Sequence, residues 1–328
     1  MELVNDPATQ RTACAALDAV LEILAETIDQ YLPLIMERLA GLLETAPIPV
    51  KSVIVGAIGS AAHASKEGFL PYFAQTMNRF QHFLVLTGEG EEQELRGITM
   101  DAIGTFADAV GKEDFRPYFA SMMQQAFAGI ELGSARLKEC SFLFFGVMAR
   151  VFAEEFAPYL PQVVPTLYAS LKQAEHGDEE LETAGAAVDF ASGSTPATAI
   201  TIGDGFDGED IDVDIDKLLD VNSTICIEKE IAADTIGGLF ASTGAQFLPF
   251  VEQSTIELVA QLTHYYDGIR KAASESLLEI IRSFYEIRNP AEWQPGQAVP
   301  VPLDQQVKDL VEHILPPMFE MYEAEDNK

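Results

Sequence analysis

Basic residues are scarce in this 328-residue chain. Its 20 lysines and arginines stand against 52 aspartates and glutamates, a formal charge of −32. Such a chain repels phosphate backbones and anionic lipid wherever its field is felt, which excludes direct nucleic-acid and membrane-surface binding. Cysteine is scarce too. Cys14, Cys140 and Cys226 are odd in number, lie far apart and form no Cys-x-x-Cys pair, so they read as reduced, buried thiols of an intracellular protein. No run of eighteen apolar residues occurs, and the opening Met1-Glu2-Leu3-Val4-Asn5-Asp6 lacks the basic-then-apolar order of a secretion signal. A nuclear or cytoplasmic protein is expected.

The signatures of bond chemistry are also missing. His63, His82, His176, His264 and His313 are scattered singly, with no metal-ligand spacing, and neither a P-loop nor a dinucleotide fingerprint is present. The stretch from Asp210 fails as a calcium loop, because Ile215 and Val221 stand where glycine and glutamate are required. Cys140 sits beside the apolar run Phe142-Leu143-Phe144-Phe145 and reads as a packing residue. No enzyme activity, cofactor or metal is expected. Apolar residues, by contrast, make up 48% of the chain, enough for a large core.

Those residues are organised by an internal repeat. An aromatic, any residue, then proline recurs as Tyr31-Leu32-Pro33, Phe69-Leu70-Pro71, Phe115-Arg116-Pro117, Phe156-Ala157-Pro158 and Phe247-Leu248-Pro249, with successive prolines 38, 46, 41 and 91 residues apart. Proline suits a first helical turn, so each motif is expected to open a helix, here termed A. Gly68, Gly111 and Gly244 are expected to end the preceding helix, B, in the left-handed conformation. Gly59, Gly104, Gly146 and Gly237 stand 10, 11, 10 and 10 residues before the motif's aromatic, which suggests close packing of B helices. The aromatics Phe69, Tyr72, Phe115, Tyr118, Phe156, Tyr159, Phe247 and Phe250 read as core packing.

The expected fold is all-α, a right-handed superhelix of antiparallel helix pairs spanning residues 1–328: B at 8–28, pairs at 31–65, 69–110, 115–153, 156–243 and 247–286, and a last A helix at 304–323. Neither end carries a polar capping repeat, so a longer solenoid is expected to contain this one. Two segments depart from the repeat. Residues 175–220 form an acidic insert, where fourteen acids against Lys217 give a charge of −13. Residues 288–302 form a proline-rich linker.

Tyr266-Asp267-Gly268-Ile269-Arg270-Lys271-Ala272-Ala273 through Leu277 resembles the B-helix segment of HEAT repeats. Cys226-Ile227-Glu228-Lys229-Glu230, leading through Gly237 to Phe247-Leu248-Pro249-Phe250, and Glu91-Glu92-Gln93, leading to Gly111 and Pro117, resemble the importin-β family of karyopherins. The match is closest to the importin-4 branch, and the importin-5 branch shares an acidic stretch before such a segment. The resemblance implies a HEAT-repeat solenoid and a nuclear import receptor shuttling between cytoplasm and nucleus. It implies basic cargo such as ribosomal proteins and core histones on a concave face lined by B helices, release by Ran GTPase, and Phe-Gly nucleoporins in grooves between outer helices.

Three groups of acids are candidate cargo contacts. Glu94, Asp101 and Asp108 recur every seven residues and form one helical stripe. Asp101 and Asp234 each stand three residues before an aligned glycine, and Glu230 lies one turn before Asp234. In the insert, Asp207, Glu209, Asp210, Asp212, Asp214 and Asp216 alternate with apolar residues from Ile211 onward, the pattern of an extended two-faced strand. Solvated helix faces and a self-docked, autoinhibitory insert are the competing readings. A HEAT scaffold organising an enzyme complex such as a phosphatase is the alternative function.

Overall fold

The computed structural model of the chain describes residues 9–24, 27–175, 215–288, 295–296 and 304–326. Within them the chain forms twelve α-helices and no strand: α1 Gln10–Leu24, α2 Leu32–Thr45, α3 Ile48–Ser65, α4 Leu70–Phe80, α5 Glu91–Val110, α6 Lys112–Glu131, α7 Ala135–Phe152, α8 Leu160–Leu171, α9 Ile215–Thr243, α10 Val251–Gln261, α11 Asp267–Glu286 and α12 Gln305–Asp326. The odd-numbered helices are the expected B members and the even-numbered ones the A members. Each B helix stacks on the next, α1 on α3 and so on to α11, while α2, α4, α6, α8 and α10 each pack on the B helix that follows and α12 packs on α11. That sequential stacking makes an α-solenoid.

Two of the five proline motifs open helices as expected, with Pro33 and Pro71 in the first positions of α2 and α4. The other three do so differently. Pro117 lies inside α6, which starts directly after Gly111. Pro158 and Pro249 lie in 3₁₀ turns, Ala153–Tyr159 and Gly244–Phe250, that precede α8 and α10. A 3₁₀ turn suits these tight corners, since short pieces of it commonly finish or begin a helix.

The left-handed residue of the junction stands three positions before the aromatic: Lys66 (φ 48°), Ala153 (φ 51°) and Gly244 (φ 54°). Gly111 (φ 82°) precedes Phe115 by four. Gly68 therefore does not make the expected reversal; Lys66 does. A non-glycine residue there carries strain of about 1–3 kcal/mol, which the surrounding packing must overcome.

The aligned glycines divide into two kinds. A Cβ on Gly59 would lie 3.3 Å from the Ala102 Cβ, and one on Gly237 would lie 2.8 Å from the Ser276 Cα, so both permit close B-to-B approach. Gly104 has only ordinary room around it, the nearest atom being Phe144 Cδ2 at 3.5 Å, and Gly146 has nothing within 4 Å. The common register thus has a packing cause in two of the four.

Phe69, Phe115, Phe156 and Phe247 are fully buried and join the core. Phe69 stacks on Phe106 at 4.7 Å and Phe247 on Phe240 at 5.1 Å, tying the junctions to B helices. Edge-to-face contacts of Phe73 with Tyr118 and Phe119 with Tyr159, both at 5.3 Å, link successive repeats along the A side. Arg96, 4% exposed, donates to the Leu86 carbonyl at 2.9 Å and so anchors the loop between α4 and α5. Arg270 repeats the device one end later, donating to the carbonyls of His264 and Tyr265 at 2.7 and 2.8 Å.

Both edges of the expected insert behave as solenoid. Residues 215–220 belong to α9, so Ile215 and Asp216 are helical and the predicted strand does not reach them. Glu175 is buried. Most of the proline-rich linker, and Asp207, Glu209, Asp210, Asp212 and Asp214, lie outside the described residues.

Candidate functional site: an incomplete charge ladder on the B helices

Because α5 and α7 stack side by side one repeat apart, Glu94, Asp101 and Asp108 stand opposite residues 42 positions later: Arg136, Leu143 and Arg150. The outer rungs are ion pairs. Arg136 Nε lies 3.4 Å from Glu94 Oε2, and Arg150 Nη2 lies 3.0 Å from Asp108 Oδ1. The middle rung pairs a carboxylate with Leu143, a leucine 44% exposed. Arg136 reaches across to Asp101 Oδ2 at 3.5 Å and to Glu139 at 3.3 Å, so one guanidinium is shared among three carboxylates. The Cys140 thiol also faces Asp101 Oδ2, at 3.3 Å.

The consequence is an orphan. Asp101 Oδ1 is buried and has no hydrogen-bond partner among the described residues. The same residue lines a cavity of about 270 Å³, together with His63, Asp108, Leu143, Phe144, Val147 and Arg150 among others. Burial raises the Asp101 carboxyl above the ordinary aspartate value, with Arg136 and Cys140 pulling the other way and Glu94 adding to the rise. Burial, then the Asp101 charge, push the Cys140 thiol far up, so it stays a protonated donor. Oδ1 itself is sealed from solvent, but the Asp101 side chain as a whole is 31% exposed and lines the cavity, where it offers a cation its negative charge.

Of the remaining acids, Glu230 and Asp234 lie on α9. Glu230 is half-buried, and its carboxylate fills the place that a Cβ on Gly268 would take. Asp234 is raised by burial and then by the neighbouring Glu275 of α11. The seven-residue spacing places Glu94, Asp101 and Asp108 on one helix, as expected, but does not by itself reveal Arg136 and Arg150 opposite them. Their signal was available, because each follows its acid by one repeat period.

A second polar cluster gave no sequence signal. Glu175 accepts hydrogen bonds from Lys229 Nζ at 2.9 Å and His264 Nε2 at 2.7 Å, and the Tyr265 hydroxyl also bonds to it. Burial raises this carboxyl, yet the three donors outweigh burial and hold it below its ordinary value. Next to it, the fully buried Glu228 meets Lys138 at 3.2 Å and the Ser170 hydroxyl at 2.5 Å. The ligand atoms of Glu175, Cys226 and His264 converge within 4.8 Å, the spacing of a metal site. The donor set does not fit one. His264 Nδ1 accepts the Tyr266 N–H at 3.0 Å, so the proton sits on Nε2, and Lys229 already occupies the carboxylate. The cluster joins α7, α8 and α9 to the segment after α8 and the loop between α10 and α11 as a buried polar clasp.

On the A side, α10, α11 and α12 enclose an apolar groove of about 500 Å³, lined by Leu248, Val251, Ile256, Phe284 and Leu310 among others.

No family model matches the chain. Probable importin subunit beta-4 of Schizosaccharomyces pombe is 42% identical over 325 residues, covering 97% of this chain and 29% of that protein. Importin-4 of Homo sapiens is 27% identical over 250 residues, 76% of this chain and 23% of that protein. The chain thus spans less than a third of the length of these relatives. Among solved structures, the karyopherin Kap121p bound to the extreme C-terminus of the protein phosphatase Cdc14p matches with a TM-score of 0.68 at 18% identity, over 94% of this chain and 27% of that one. At that identity the likeness speaks for the HEAT-repeat fold alone.

Proposed function

The chain belongs to the importin-β family of karyopherins and is of the importin-4 type, and on that premise we propose that it is a cargo-binding segment of a nuclear transport receptor whose B helices hold lysine-bearing protein segments. One observation carries this reading: Asp101, set opposite Leu143 where its neighbours Glu94 and Asp108 face arginines, lines a cavity whose walls include Leu143 and Val147. Lysine suits that space. Its methylene stem would run along Leu143 and Val147 while its ammonium meets the carboxylate. The complex of the solved relative with the extreme C-terminus of Cdc14p is, for that protein, binding of a chain end, the kind of ligand such a groove would accept.

The cargo expected on this reading is basic, ribosomal proteins and core histones included, carried between cytoplasm and nucleus and released by Ran GTPase. The acids Glu230 and Asp234, and those of the insert, would add long-range attraction. The apolar groove between α10 and α12 supports Phe-Gly nucleoporin contact on the opposite side, with Leu248, Ile256 and Phe284 offering apolar surface to a phenyl ring.

The test is a titration of a labelled lysine-rich tail at rising ionic strength, against a neutral tail of equal length. Saturable binding of the lysine-rich tail alone, weakening with salt, is expected. Equal affinity for both tails, or salt-resistant capture of folded enzyme subunits with no taste for basic tails, would favour a scaffold that organises an enzyme complex. Deleting residues 176–214 is expected to weaken tail binding; a gain would show that the insert competes with cargo instead of recruiting it.

A further inference from the structure

Arg150 holds a position that the receptor reading does not itself explain. It lies 42 residues after Asp108 and donates to Asp108 Oδ1 through both Nε (3.3 Å) and Nη2 (3.0 Å). Its side chain is 62% exposed and that of Asp108 47%, so the pair is solvent-screened. A pair so exposed contributes about 0–1 kcal/mol to folding. Arg150 nevertheless lines the same cavity as Asp101. His63 and Lys66 border an adjoining cavity of about 330 Å³ that also reaches Asp108.

Asp101 and Asp108 are seven residues apart on one helix, about 10 Å along its axis. Two lysines three residues apart in a polyproline II segment, which has three residues per turn, lie on one face and span nearly the same distance, about 9 Å. Without Arg150, the stripe would therefore present two carboxylates in register with a Lys-x-x-Lys segment.

We infer that Arg150 is a specificity-determining residue: as an internal cation on Asp108 it leaves one vacant rung, so this face reads a single lysine and gains little from a second. Arg136 does the same for Glu94 at the other end. The inference rests on the lysine-binding reading above. It adds that the ladder's arginines set how many charges of the ligand are counted.

The experiment compares two labelled glycine-serine peptides, one with a single lysine and one with Lys-x-x-Lys, on the native chain, Arg150→Gln and Arg150→Lys at constant ionic strength. On the native chain the second lysine should improve affinity less than about threefold. On Arg150→Gln it should improve affinity about tenfold over that variant's own single-lysine affinity, and Arg150→Lys should restore the native ratio. An equal gain for both peptides on Arg150→Gln would mark a general charge effect and overturn the inference, as would an unchanged ratio. Absence of binding by either peptide to every form would overturn the receptor reading and this inference with it, whereas binding with an unaltered ratio counts against this inference alone.

Discussion

At the scale of single residues, Asp101 separates binding from stability. Its carboxyl is raised by burial, so the folded state prefers the protonated form. The sign follows directly: the folded state binds more protons than the unfolded one, so this residue's charge destabilises the fold as pH rises past about 4. Asp101→Asn is therefore expected to keep or slightly raise the midpoint of urea unfolding at neutral pH, and a drop of more than about 1 kcal/mol would contradict the orphaned-oxygen account. Binding runs the other way. A lysine needs the ionised carboxylate, so affinity for a single-lysine peptide should fall on acidification while the pH is still above the ordinary aspartate range. A binding profile flat down to about pH 4 would contradict it.

Elements carry two further predictions. Ala153 sits at φ 51°, ψ −126°, a region that glycine enters freely, just where the helix pair turns over. Ala153→Gly removes strain of about 1–3 kcal/mol at an entropic cost of about 0.5–1 kcal/mol, so a net gain near 1 kcal/mol is expected in urea unfolding. The B-helix glycines should split: Gly237→Ala drives a methyl toward the Ser276 backbone and should cost about 1–3 kcal/mol, while Gly146→Ala should gain up to about 1 kcal/mol of helix propensity. Equal effects at both sites would refute the division. These positions show how far the sequence could be read. The period, the helix pairs and the buried aromatics follow from spacing alone, because spacing fixes which residues share a face. The left-handed role of Lys66 and Ala153 was hidden, since neither residue type advertises positive φ. The Glu175, Lys229 and His264 clasp was hidden because its members come from the segment after α8, from α9 and from the loop before α11, which only the stacking of the repeats brings together.

For the whole molecule, the charge of −32 changes meaning once the ladder is known. Much of the acid stripe on α5 is neutralised in place by Arg136 and Arg150, so the sum of charges attracts basic segments from afar while one vacant rung holds them. Attraction from afar predicts that lysine-peptide affinity falls about tenfold or more between low and roughly 0.5 M salt, where the screening length shrinks to a few ångströms. The vacant rung makes the sharper claim. Its most direct test is an equilibrium titration of one labelled single-lysine peptide into the native chain, Asp101→Asn, and the exposed control Asp114→Asn, at neutral pH and fixed salt. The account predicts that Asp101→Asn binds at least about tenfold more weakly, the worth of a charge-assisted hydrogen bond, and that Asp114→Asn binds as the native chain does. Equal affinities for all three, or the same loss in both variants, would contradict it.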